Sequence, residues 1–242
     1  MPRSPSPTGR IPFTAHAIDD DKLYYNIYRV ASLASVGASI VGYDCGVVSM
    51  IVGERRWIDL MKLADTWAAT DIFSVYNLGA IIGALCAGHL ADRYGREMVF
   101  KVPSLVCAVG TVIQLSSFTL PQWIVGHVVL ALGIGACVTG MPIYISEIAP
   151  RTHQGRVMAM RQLAYHAGSQ LGFWLGYFIR HSPSAHPHWW RLGLAPELLL
   201  AFVLGFECYN FAPPSPRWLV AKGRDNHALE VLRLLHGEDL AK

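Results

Sequence analysis

The sequence predicts an all-α membrane protein with six spanning helices. Apolar residues make up 52% of the 242-residue chain and charged residues only 15%, against about 25% in globular domains. The charges bunch between apolar runs, each close to the roughly 20 residues that cross a hydrocarbon core. The segment GHLADRYGRE, Gly88–Glu97, joins two such runs and holds Asp92, Arg93 and Arg96. A turn this short and charged cannot lie in hydrocarbon, so it sits at one membrane face and clamps two antiparallel helices.

Residues 1–26 are polar and proline-rich, lack the apolar core of a cleaved signal peptide, and read as a disordered tail. The predicted spans, within 27–212, are Ile27–Val52, Asp71–Leu90, Met98–Ser117, Gln122–Tyr144, Val157–Phe178 and Leu192–Ala212. Prolines end the last one. Residues 213–242 then carry Ala228, Leu229, Val231, Leu232, Leu234 and Leu235 at amphipathic spacing, which predicts a short helix on the membrane surface. Of the 20 Lys and Arg, 15 fall on the side that holds the termini and the charged turn. The positive-inside rule makes that side cytoplasmic. The expected setting is a multi-pass protein of the plasma membrane with both termini inside.

Small residues four apart let helix backbones approach closely in lipid. Gly42 and Gly46, Gly79 and Gly83, and the row Gly168, Gly172 and Gly176 have that spacing. Gly88, opening the charged turn, is grouped with them as a packing residue. Cys45, Cys86, Cys107, Cys137 and Cys208 all fall in apolar runs without metal-ligand spacing and read as buried core residues. His181, His186 and His188 lie in one outer loop without carboxylate or thiol support, so no metal is assigned. Trp189 and Trp190 after them read as interface markers. No cofactor and no nucleic-acid partner is expected.

Ionisable groups inside a span are costly and mark candidate sites. Asp44 is such a carboxyl. It needs either a bound proton or a cationic partner, and reads as a proton or cation site, the alternative being a structural hydrogen-bond acceptor. His127, in span four, falls at a similar depth when counted at about 1.5 Å per residue, so the two side chains can meet. A packed polar residue is the alternative for His127. Gln162, His166 and Gln170 step along one side of span five, apart from the glycine row, and suit a wet face that binds hydroxyl groups. Glu197 is placed near the outer interface, and Glu207 has no assigned role.

GYDCGVVS, GHLADRYGRE, GMPIYISEIAPRTHQGR, WRLGLAP and PPSPRWLVAKGR resemble, in order and spacing, motifs of the sugar porter family of the major facilitator superfamily. The resemblance implies one six-helix half, built as a 3+3 inverted repeat, of a twelve-helix transporter that binds solute between its halves. The motifs match the N-terminal half, so the partner is a C-terminal half or a second copy. The resemblance further implies that Asp44 carries a proton and that Gln162 touches the sugar, with His166 and Gln170 beside it. It implies a cytoplasmic gating network of Asp92, Arg93, Arg96, Glu147, Arg156 and Arg217. The sequence departs from the family at several places. His127 stands where the family has an arginine, Gln154 replaces another arginine, Glu97 a basic residue and Pro214 an acidic one, while Gly193 and Glu197 replace a proline and a glutamine. Histidine titrates near neutrality and arginine does not, so Asp44 and His127 are expected to form a softer proton switch.

The function implied is transport of a monosaccharide or polyol, coupled to protons by alternating access. A transporter-like sensor, or a half that no longer transports, is the alternative. An intramembrane hydrolase is excluded: no second intramembrane aspartate accompanies Asp44, and there is neither a nucleophile–histidine pair nor an HExxH pattern.

Overall fold

The computed structural model describes residues 20–62, 67–149, 151–181 and 188–236. Of the tail, residues 1–19 lie outside the described residues, as do His186 in the loop before α7 and residues 237–242. Six long helices form the bundle: α1 (Asp20–Val52), α3 (Trp67–Tyr94), α4 (Met98–Leu115), α5 (Leu120–Ile148), α6 (Gln154–Arg180) and α7 (Trp189–Phe211). Three short ones join them: α2 (Arg55–Leu60), α8 (Pro216–Ala221) and α9 (Asp225–His236). Five of the long helices are apolar and long enough to cross a membrane. The exception is α6, 27 residues long, whose Arg156, Arg161, Gln162, His166 and Gln170 lower its hydropathy. α1 starts at Asp20, inside the stretch read as tail, and α2 was not predicted.

Local signals set the breaks. Gly95 adopts φ 117° between α3 and α4, a conformation that only glycine takes without strain. Pro121 sits in the first turn of α5, where no N–H is needed. Pro213 and Pro214 follow α7, and Ser215 then caps α8 by accepting from the Trp218 N–H at 3.3 Å. Gln154, in place of the family's arginine, donates to the carbonyls of Ser146 and Ala149 at 3.1 and 3.0 Å and closes the end of α5.

The packing has the symmetry of an inverted repeat. α1 packs chiefly on α6 and α7, while α5 packs chiefly on α4 and α3. Thus the first helix of each triplet lies against the second and third of the other. Glycines line both main seams. A Cβ on Gly42 or Gly46 would collide with the α6 backbone at Tyr165 or Ser169, and one on Gly168 or Gly172 with the α1 backbone at Ser39 or Tyr43. Gly176 faces Met50, and Gly79 and Gly83 meet α5 at Val128, Ala131 and Leu132. Gly88 departs from the prediction: a Cβ there would touch nothing, because Ala87 and Ala91, not Gly88, face Ala136 of α5.

Two apolar clusters fill the bundle ends. The one away from the charged turn holds Trp57, Trp123, Trp189 and Trp190. The last two are therefore buried, not interface markers, because α7 begins earlier than predicted and tucks them under α1. The cluster near the charged turn joins Phe100, Tyr144 and Ile145 to Leu219, Ala228 and Val231, so α9 docks on the bundle through its apolar stripe and leaves Leu229 and Leu232 exposed. Cys86 faces outward, unlike buried Cys107, Cys137 and Cys208, and Cys45 is half-buried.

Candidate functional site

Asp44 lies eight residues before the end of α1, on the face turned toward α3 and α5, 2% exposed. His127 of α5 approaches it, with Nδ1 3.9 Å from Oδ1. This is an ion-pair distance and too long for a hydrogen bond. The Tyr76 hydroxyl of α3 is the hydrogen-bonding partner of the Asp44 carboxylate, while Oδ1 has no partner. The imidazole is sandwiched between Tyr76 and Trp123, ring centroids 4.7 and 4.8 Å away, and Trp57 meets Trp123 edge-on at 5.2 Å. Rings on both sides fix the plane of His127 without supplying charge.

Gln114 of α4 completes the surround. Its Nε2 lies 3.0 Å from His127 Nδ1, and its Oε1 is buried without a partner. As drawn, the amide donates to a neutral Nδ1. Turned over, it would accept from a protonated one. The amide therefore serves either state of the ring.

Sequence reasoning missed Glu197. It is fully buried in α7, both carboxylate oxygens lack a partner, and it is close enough to Asp44 for the two charges to interact. Because α7 starts at Trp189, Glu197 lies about two turns into the helix, whereas the sequence reading had left it solvated near the helix end. Next to it, the Tyr43 hydroxyl donates to the Gly193 carbonyl at 2.6 Å and ties α1 to α7. Tyr76 and Gln114 carried no usable sequence signal, since each is one polar group in an apolar run.

Gln162, His166 and Gln170 are exposed together on the side of α6 away from the glycine seam, with Gln162 Nε2 and His166 Nε2 3.2 Å apart. They form one wall of amide and imidazole groups. They do not touch Asp44.

At the other end, Arg96 Nε lies 3.3 Å from Glu147 Oε1, and its Nη1 2.6 Å from Asp92 Oδ1. The Ser215 hydroxyl donates to Glu147 Oε2 at 2.5 Å, and the Trp218 indole donates to the Asp92 carbonyl at 3.1 Å. The predicted network is thus smaller and differently made. Arg93, Arg156 and Arg217 form no ion pair with a described residue. Ser215, beside the substituted Pro214, supplies the bond that ties α8 to Glu147.

Residues 30–242 match the family described as "Sugar (and other) transporter". The chain belongs to this sugar transporter family. The MFS glucose transporter mfs1 of Aspergillus flavus is 28% identical over 224 residues, covering 90% of this chain and 42% of that protein. Myo-inositol transporter 1A of Cryptococcus neoformans is 31% identical over 215 residues, covering 88% and 36%. The proton:xylose symporter XylE superimposes with a TM-score of 0.80 at 24% identity, over 90% of this chain and 51% of that one. This sugar transporter family chain therefore spans about half the length of XylE and less than half of the two fungal proteins. Its fold is a six-helix half of the major facilitator superfamily fold, and it is an integral, multi-pass membrane protein.

Proposed function

We propose that the chain is the N-terminal half of a carrier that moves a monosaccharide or polyol across the plasma membrane, coupled to protons, with both termini cytoplasmic. A C-terminal half or a second copy would supply the opposite wall. Burial of Asp44 beside His127, with Glu197 unpartnered nearby, is the observation that carries this reading. Two negative charges buried together without cations are prohibitive, so the cluster holds at least one proton. Shifting a proton between Asp44 and His127 makes the pair either two neutral groups or an ion pair, and Gln114 can satisfy the ring in both. Each state favours a different placement of α1 against α5, which links protonation to alternating access. Gln162, His166 and Gln170 would hydrogen-bond the solute hydroxyls.

Trp123 supplies the test, because an imidazolium stacked on an indole quenches its emission. Lowering the pH on the purified chain is expected to give a reversible fall in tryptophan emission that His127→Gln removes and Asp44→Asn shifts. An emission trace that is flat with pH would sink the switch. Uptake of labelled monosaccharide by cells expressing the chain with a partner half then tests transport. That Arg93 and Arg217 form no ion pair with a described residue favours the sensor as the second reading, and solute binding without uptake is the result that would select it.

A further inference from the structure

Although α3 and α4 are joined by a short turn, they barely touch. Each packs on α5, and between them they leave a cleft of about 620 Å³ on the charged-turn half of the bundle, floored by Ala136 and walled by Leu85, Cys86, Leu90, Val102 and Val106. Its lining is almost wholly apolar. Water gains little there, and a sugar would find only the rim groups of His89 and Tyr94. A helix is a cylinder about 10 Å across with its side chains, too wide to enter. A single hydrocarbon chain fits.

The mouth of the cleft explains which chain enters. Tyr94 lines it, and the Arg93 guanidinium lies over the Tyr94 ring, 5.4 Å from its centroid. Arg93 is exposed and forms no ion pair with a described residue, whereas Arg96 next to it is committed to Asp92 and Glu147. At the boundary between hydrocarbon and water, a guanidinium held on an aromatic face presents its remaining N–H groups to an oxyanion, and phosphate matches them in two-point fashion.

We propose that the α3–α4–α5 cleft is a binding site for one acyl chain of an acidic glycerophospholipid, whose phosphate sits on Arg93. The site depends on membrane insertion and not on transport, so it stands whether or not the proposed carrier activity does.

Photo-cross-linking tests this on the full chain in nanodiscs, comparing phosphatidylglycerol and phosphatidylcholine that carry a diazirine in the acyl chain. Adducts are expected on residues 85–90 and 102–106, with phosphatidylglycerol favoured by about five-fold, the effect of one cation near an acidic lipid surface. Arg93→Gln is expected to abolish that preference, and Cys86→Trp, which fills the cleft from an outward-facing position, to abolish the adduct. Unlabelled phosphatidylglycerol should compete on the unaltered chain better than phosphatidylcholine, a measurement that needs no variant to fold. Equal labelling by the two lipids, adducts spread evenly around the bundle, or adducts that persist in Cys86→Trp would each overturn the proposal.

Discussion

The two ends of the bundle hold a carboxylate in opposite ways. Near the charged turn, Glu147 meets Arg96 and Ser215, so both oxygens are bonded and the cation is one that stays charged. Around Asp44, one oxygen has no partner, the nearest nitrogen is 3.9 Å off, and that nitrogen belongs to a titratable ring. The first arrangement is committed to its charges and works as a latch. The second is under-satisfied and can change state. Buried polar groups left unpaired cost free energy, so a cluster that keeps several of them is a candidate for a part that works by altering its partners.

Four substitutions bear on this contrast. Asp44→Asn removes the proton carrier, and pH-driven accumulation of monosaccharide by a carrier assembled from this chain and a partner half should fall by about 100-fold, roughly 2.7 kcal/mol. Unchanged accumulation would erase the distinction between the two ends. His127→Arg gives the cluster the permanent cation that the latch has. The pH step in tryptophan emission should vanish while the fold survives, and a step that remained would assign the titration to another group. Glu147→Gln leaves Asp92 as the one charged partner of Arg96 among the described residues and should cost about 1.5–3 kcal/mol, read as a drop of about 2–4 °C in Tm per kcal/mol. Ser215→Ala removes both the bond to Glu147 and the cap of α8, for about 1 kcal/mol. A Tm loss larger than that of Glu147→Gln would mean that the cap, not the ion pair, holds the latch.

The contrast also separates what the sequence could disclose from what it could not. Counting rise per residue placed Asp44 and His127 at one depth, and they meet. Glycine spacing marked the packing faces of α1, α3 and α6, because a Cβ there has nowhere to go, but it did not name the partners, which only the α1–α6 and α3–α5 packing supplies. Gln162, His166 and Gln170 share a face because their spacing is helical. Glu197 was misplaced because its depth depends on where α7 begins, and helix starts are set by tertiary packing, here the burial of Trp189 and Trp190. Gly88 and the arginines at 93, 156 and 217 were assigned by motif likeness. That likeness transfers residue types but not their contacts: here Ser215, not Arg217, bonds to Glu147.

The glycine seam between α1 and α6 leaves no slack, since backbone lies on backbone from Ser39 to Gly46. The two rods are welded and must tilt as one lever. In the proposed carrier, the acid that takes up the proton and the amide row that would grip the cargo ride on that same lever, so neither can be reset without moving the other.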